Sequence, residues 1–340
     1  MRSAGHDVVA ADTNATHLLW ADAYTKIISP APYDSGFSEW LDGVCATYQV
    51  NVIHSQPEQG VIWLAQQRHA PDYRLPANVF LPDSRVILNC QDKFETSWRW
   101  AAKGLRPSPV QRIEIEDQLR EAGETLGYPF WLRATRGAGA RGATAVESLD
   151  VGINWLRYWE ARNVGWEWIA EEFLPGRDFA WTSLWYEGKL MVSQARERIE
   201  YIYPHLAPSG RTGTPTVAVT VHDDRVNEIA FEAVAAIDPE PHGVYCVDLR
   251  EDATGTPVPT EINAGRFFTT SHFYTVAGCN FADLSVRAAC RNPDWTRPQF
   301  NAVPAGLWWV RHIDCNPQIV SDEFLAKFTD EATVAGTVTV

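Results

Sequence analysis

Residues 244–268 read VYCVDLREDATGTPVPTEINAGRFF, two β-rich runs around a turn-forming DATGT. Side chains alternate along a strand, so Glu261 and Asn263 share one face while Thr260 and Ile262 share the other. Closing the hairpin about Thr254–Gly255 sets Asp248 directly opposite Glu261. Cross-strand partners have Cβ atoms about 4.5–5.5 Å apart, and like charges there are destabilising. A divalent cation reverses that sign. Two carboxylates and an amide oxygen are hard ligands, suited to Mg²⁺ or Mn²⁺ shared with phosphate groups. For an isolated Asp/Glu pair a solvated hairpin face is the commoner setting. Asn263 and the apolar opposite face weigh against it here.

The rest of the chain bounds what such a site can serve. With 340 residues there is room for two or three domains, and 45% hydrophobic with 21% charged residues is a globular balance. The formal charge of −14 disfavours a general nucleic-acid-binding or anionic-membrane surface. Any anionic ligand must be held by local cations or a metal. No run approaches the ~20 apolar residues of a membrane span, and MRSAGHDVVAAD lacks the apolar stretch of a signal peptide. These features lead to the expectation of a cytoplasmic protein. The six cysteines are scattered, with no CxxC and no histidine at zinc spacing, and read as mostly buried thiols. The 15 tryptophans follow no fixed period and read as packing residues.

Along the chain, a strand at about 7–11 ends in Asp12. A helix near 36–49, a strand NVIHS at 51–55 and a helix near 58–70 follow, an alternation that implies a parallel sheet. Domains of this kind open with a strand and a glycine turn. That first strand is expected to be missing here, or to lie upstream of Met1. PDSRVILNC reads as a loop before a helix over about 92–103, which Gly104, Pro107 and Pro109 close. Next come a helix over 113–127, the β-like FWLRAT and ATAVES around a glycine turn at 136–142, a helix at about 151–163 and the strand WEWIAEEF. Residues 105–174 thus read as a small α+β subdomain. Beyond it lie a hairpin turning at Glu187-Gly188, a helix over 223–238, the opening hairpin, a helical stretch after Asn280 and a last strand GLWWVRHID.

Two further constellations bear on chemistry. TRGAGARGA (135–143) contains G-x-G-x-x-G at Gly137, Gly139 and Gly142. A dinucleotide fingerprint should open a helix, and here β-like ATAVES follows, so a hairpin loop folding over phosphates fits better. A simple flexible hairpin fits the loop equally well. WIAEEFLPGRDF (168–179) reads as a hinge whose backbone could face an adenine edge and whose Asp178 could accept a ribose hydroxyl. Lys93, Arg133, Arg196, Arg198 and Arg266 are the basic residues available to phosphates, though each alone is more often a surface charge.

Taken in order, NCQDKFETSWRWAAKGLRPSP, YPFWLRATRGAGARGA, IAEEFLPGRDF and VDL…TEINAGRF resemble the ATP-grasp superfamily, in particular its carbamoyl-phosphate-synthase-like carboxylate–amine ligases. The resemblance covers most of the chain, and it is the ordered set that is specific. It implies an α/β and α+β chain: a truncated Rossmann-like pre-ATP-grasp domain over 1–88, then an ATP-grasp fold over 89–300. In that fold two α+β subdomains clasp ATP, with the lid at about 105–174, and 301–340 form a C-terminal strand and tail packing on the ATP-grasp domain.

The resemblance further implies Lys93, Arg133 and the glycines Gly137, Gly139 and Gly142 at the ATP phosphates. Glu171, Glu172, Phe173 and Leu174 would lie around adenine, and Asp178 near the ribose. Asp248, Glu261 and Asn263 would ligate Mg²⁺ or Mn²⁺, with Arg266 on the transferring phosphoryl group and Arg196 and Arg198 as further catalytic candidates. Relatives commonly carry proline after the asparagine, whereas here Ala264-Gly265 precede Arg266. The implied reaction joins a small-molecule carboxylate to an amine through an acyl phosphate, with neither nucleic acid nor membrane as partner and a homodimer as the candidate assembly. Its competitors are bicarbonate activation of the carbamoyl-phosphate-synthase type and non-catalytic ATP binding. A nicotinamide oxidoreductase would need a dinucleotide loop opening a helix, which the sequence lacks.

Overall fold

A computed structural model describes residues 1–106, 110–137, 141–210, 212–313 and 318–327. The chain opens with β1 (Val9–Asp12), α1 (Ala15–Leu18) and β2 (Thr25–Ile28), then α2 (Phe37–Tyr48), α3 (Glu58–Gln67), α4 (Ser84–Gln91) and α5 (Lys93–Ala102). β1 and β2 form a parallel pair. The strand expected at 51–55 reduces to one parallel bridge, Val52 to Asn78. The facing segment is bounded by Pro76 and Pro82, which lack the N–H a ladder needs.

The expected loop PDSRVILNC is instead helical. Asp83 caps α4 by accepting from Arg85 N at 2.9 Å, and Ile87 and Cys90 turn inward at i, i+3 spacing. Asp92 ends α4 and at once caps α5, its carboxylate accepting from Phe94 N and Glu95 N at 3.0 and 3.2 Å. Lys93 is therefore the first residue of α5, fixed at the start of a helix anchored by Trp100. The Trp100 ring is fully buried and donates to Ala233 O at 3.0 Å.

Next come β3 (Gln111–Ile113), α6 (Glu116–Leu126), β4 (Phe130–Ala134), β5 (Thr144–Val146), α7 (Leu149–Ala161) and β6 (Trp168–Glu172). The four strands form an antiparallel sheet in the order β3-β6-β4-β5. Ile113, Leu119, Phe130, Leu132 and Val146 close its core against α6 and α7. The helix expected from 113 begins at 116, and the short strand before it pairs with β6.

The largest sheet has seven strands, all antiparallel: β7 (Asp178–Tyr186), β8 (Lys189–Tyr201), β9 (Pro215–Val221), β10 (Gly243–Glu251), β11 (Pro257–Ala264), β12 (Leu307–Val310) and β13 (Gln318–Ser321), in the order β11-β10-β7-β8-β9-β12-β13. β9 carries no expectation from the sequence, and it joins the 189–201 strand to the last expected one. Helix α8 (Asp224–Ile237), with α3 to α5, covers the face bearing Trp181, Tyr245 and Ile262. Helices α9 (His272–Val276) and α10 (Phe281–Ala289) cover the face bearing Val192, Cys246 and Trp309. The turn at Glu187-Gly188 forms as expected, both residues having positive φ.

The opening hairpin has the expected register, with Asp248 opposite Glu261. A bulge follows, so that Leu249 pairs with Pro259, and Thr260 Oγ1 donates to Asp248 O at 3.1 Å. Because β11 is an edge strand, Pro257 and Pro259 cost the sheet no ladder. Of the described cysteines, Cys45, Cys90, Cys246 and Cys279 are buried and Cys290 is exposed. Among the described residues no helix is long and apolar enough to cross a membrane.

Candidate active site

A cleft of about 360 Å³ opens where the four-stranded sheet meets the β10–β11 edge of the seven-stranded one, within the size range of small-molecule sites. Of the residues singled out from the sequence, Lys93, Arg133, Gly137, Glu171, Glu172, Phe173, Leu174, Asp178, Arg198, Asp248, Glu261, Asn263 and Arg266 line it. A second cavity of about 90 Å³ adjoins it, sharing Lys93, Glu261, Asn263 and Arg266 and reaching Glu58 and Gln91. Gly142 is not on the lining. Its φ is +83°, and a Cβ there would sit 2.5 Å from the Trp166 ring. Gly139 lies outside the described residues. Arg196 is buried behind Phe268, with its guanidinium over that ring at 5.5 Å.

Each oxygen ligand on the β10–β11 face meets a cation. Asp248 Oδ1 accepts from Arg198 Nη2 at 2.5 Å, Glu261 Oε1 lies 3.8 Å from Lys93 Nζ, and Asn263 Oδ1 accepts from Arg266 Nη2 at 2.6 Å. Burial raises the Asp248 carboxyl to about 6; Arg198 opposes this, while Glu261 across the ladder and Asp178 add to it. Lys93 Nζ also donates to Gly137 O at 2.8 Å, tying α5 to the glycine turn. Among the described residues no three His, Cys, Asp or Glu side chains form a metal cluster. The two carboxylates plus an amide suit a hard divalent ion that completes its shell with phosphate oxygens and water.

Gly265 explains how Arg266 reaches this face. It has φ +81°, donates to Val244 O at 2.8 Å, and an added Cβ would stand 2.7 Å from Val61 Cγ1. The extra residue before the arginine is thus a left-handed step that turns the chain back into the cleft. Gly265→Ala is expected to cost about 2–3 kcal/mol through the strained φ and the overpacked core, read as a lower urea midpoint, with Arg266 displaced from Asn263.

Around the expected adenine end, the Glu171 carboxylate is committed elsewhere. It accepts from Ser97 Oγ at 2.6 Å, and Arg133 Nε and Arg106 Nη2 stand 2.6 and 3.3 Å from it. Although burial acts to raise its pKa, the two guanidiniums prevail and hold it below the usual carboxylate value. Arg106 and Arg133 in turn donate to Pro259 O and Thr260 O at 2.7 and 2.9 Å. The pair therefore bolts the four-stranded sheet to β11. Glu172 ends the β6 ladder, and Phe173 and Leu174 leave it, with the Phe173 ring 6.4 Å from Trp131 and under Arg250 at 5.7 Å. Asp178 is held by Arg198 Nη1 at 3.3 Å and Tyr201 Oη at 2.7 Å.

The sequence reading did not single out Arg106, Arg136, Arg141, Tyr201 or Arg250, all on the lining. Arg106 follows a glycine stop in a proline-rich loop, where nothing in local spacing marks it. Arg250 lies two residues beyond Asp248 in a recognised strand and follows from alternation, whereas Tyr201 lies beyond register breaks at Arg198/Glu200 and Glu200/Tyr201 that alternation does not foresee.

No protein-family model matches the sequence, and neither does any curated protein. Solved structures do match the fold. The biotin carboxylase domain of 2-oxoglutarate carboxylase from Hydrogenobacter thermophilus, a dimer in complex with MgADP, ADP and bicarbonate, aligns over 91% of this chain and 69% of its own, with TM-score 0.67 and 14% identity. Carboxyaminoimidazole ribonucleotide synthase from Aspergillus clavatus, complexed with ATP, aligns over 89% and 74%, with TM-score 0.64 and 19% identity. L-amino acid ligase from Bacillus licheniformis aligns over 84% and 68%, with TM-score 0.60 and 17% identity. The chain has the ATP-grasp fold. The fold expected from the four ordered motifs is the one observed.

Proposed function

We propose that this chain is an ATP-dependent ligase that activates a substrate carboxylate as an acyl phosphate and passes the acyl group to an amine, forming an amide or peptide-like bond. The observation that carries this reading is the threefold pairing on one face of one cleft: Asp248 with Arg198, Glu261 with Lys93, and Asn263 with Arg266. Such a set, cations interleaved with hard oxygen ligands, is complementary to a polyphosphate and a divalent ion together.

Asp248, Glu261 and Asn263 would hold Mg²⁺ or Mn²⁺, which when bound neutralises phosphate charge. Lys93 and Arg133 bind the phosphates from the α5 and β4 sides, with Gly137 on the lining beside Lys93. The backbone of Glu171 to Leu174, with Trp131 and Phe173 as apolar walls, receives the base, and Asp178 lies toward the ribose. Arg266, and Arg198 once released from Asp248, stabilise charge on the transferring phosphoryl group.

A carboxylate oxygen attacks the γ-phosphorus in line, and the bond to ADP breaks. The amine then adds to the acyl carbon, phosphate departs with the acyl–oxygen bond, and the amine's proton passes to solvent. No covalent enzyme intermediate is required.

The same proposal includes the domain division at about 88 and 300, small-molecule acid and amine partners, a cytoplasmic location and a homodimer. A second reading has bicarbonate as the acid, because a neighbour of this fold was solved with it. A screen of acid–amine pairs for ADP formation, with products weighed by mass spectrometry, separates the readings. The ligase gives ADP only with a productive pair and a product of acid plus amine less water. ADP release on bicarbonate alone would favour the second reading, and ATP binding without ADP from any pair would sink both.

A further inference from the structure

We propose that the cleft continues behind Phe268 into an anion subsite, where Arg196 and Arg311 take a carboxylate carried by one of the two organic substrates. The proposal rests on the ligase reading above and deepens it by naming a charge that one substrate must bear.

The sheet itself sets out the subsite. Asp248 pairs with Ala180, and Ala180 with Arg196, so all three side chains share one face of the seven-stranded sheet. Asp248 and Arg196 are two strand spacings apart, about 10 Å. One row further, Arg198 pairs with Ala218 and Ala218 with Trp309. Arg311 N donates to Thr216 O at 2.9 Å, which places Arg311 two residues beyond Trp309 on that same face. Ala180 and Ala218 are the small members of these rows, lying between the larger side chains.

Arg196 is an anomaly by elementary energetics. It is 1% exposed, and no carboxylate lies within ion-pair distance of it among the described residues. The two acids nearest on this face, Asp178 and Asp248, are taken by Arg198. Its guanidinium rests over the rings of Phe268 at 5.5 Å and Tyr274 at 5.4 Å and, among the described residues, donates only to Thr270 O at 3.3 Å. A buried cation without a counter-ion is costly, and Arg198 and Arg311 add like charge around it. Arg311 is likewise without a carboxylate partner among the described residues, its Nε donating to Pro215 O at 3.2 Å.

Unused donors gather at the same place. Arg196 Nε, Thr270 Oγ1, Trp309 Nε1 and Arg311 Nη2 are buried with no hydrogen-bond partner among the described residues. Groups that can all donate, around two positive charges, are complementary to an acceptor-only anion, and a carboxylate offers about four lone-pair sites. Phe268 separates this group from the main cleft. It lines the cleft on one side and touches both Arg196 and Arg198 on the other, so a single ring stands between Arg196 and the cleft. The phosphate-facing cations Lys93 and Arg266 lie on the far side of Asp248, which keeps the nucleotide and this anion distinct.

Calorimetric titration tests this in two stages. The protein is titrated with MgADP, then the MgADP-saturated protein with succinate, L-alanine and the neutral analogues succinamide and L-alaninamide. At least one acid is expected to saturate with Kd of about 1 mM, and its amide to bind about ten-fold or more weakly. Arg311→Met, at a half-exposed position, and Arg196→Lys should each erase that preference. A response to succinate alone assigns the anion to the acid substrate, and a response to L-alanine alone assigns it to the amine; either supports the subsite. Saturable binding by neither acid overturns it, as does a preference that survives both variants, since the donors then serve only water. Failure to bind MgADP would count against the ligase reading instead, and the anion titration on the free protein would still decide the subsite.

Discussion

Glu261→Gln should lower substrate-dependent ADP release by about 10²–10³-fold while leaving the thermal transition nearly unchanged. The two outcomes separate because of where Glu261 sits. Its carboxylate is partly exposed, faces Asp248 across the ladder, and has Lys93 Nζ at 3.8 Å as its only ion-pair partner among the described residues. An amide of the same shape removes a like-charge contact with Asp248, so the fold loses little. For catalysis the balance reverses. A hard divalent ion bound by two carboxylates and an amide loses half of its anionic ligands, and Lys93 loses the group that orients it toward the phosphates. Steady-state ADP formation on the productive acid–amine pair, beside a melting curve, is the measurement. Unchanged turnover in this variant would remove Glu261, and with it the hairpin, from the reaction.

The second large effect is on stability. Glu171→Leu is expected to destabilise the protein by about 3–5 kcal/mol, because it leaves the buried guanidiniums of Arg106 and Arg133 without their shared carboxylate. Ser97 loses its acceptor as well. The defect should be felt where the two sheets join, since the same arginines donate to Pro259 O and Thr260 O on β11. Adding Arg106→Met to Glu171→Leu should recover part of the loss, as apolar side chains of similar length remove one uncompensated charge. Urea unfolding of the single and double variants reads this directly. Equal midpoints for wild type and Glu171→Leu would mean that the ion pairs do not tie the sheets together.

Those two residues also mark where the sequence was informative and where it was not. The register of Asp248 on Glu261 was legible because it depends on one turn and on alternation, both local properties. The helix carrying Lys93 is legible from its glycine and proline stop, whereas the Asp92 cap that fixes Lys93 as its first residue is seen only in the structure. Glu171 was read toward adenine from its place in a hinge motif, but its side chain answers to Arg106 and Arg133, which arrive from other elements. Arg106 carried no local mark at all, since its partner Pro259 is 153 residues away in sequence. Helix α4 escaped notice because only Ile87 and Cys90 of its eight residues are buried, too few to show a period. β9 has the composition of a strand, but its neighbours, the 189–201 and 307–310 strands, are assigned by pairing that no local pattern encodes. Arg196 is legible as a cation; that it sits behind an aromatic ring rather than on the cleft wall depends on the α9 segment folding over the sheet.

Asp92 serves as the C-terminal cap of one helix and the N-terminal cap of the next, which limits how the protein can vary. One residue inserted or deleted between 89 and 93 would rotate α5 by about 100° relative to α4, and Lys93 would lose Gly137 and Glu261 together. The segment can therefore change in composition but not in length. In a library of single-codon insertions, positions 89–93 should be among the least forgiving in the chain, although most of their side chains touch no ligand.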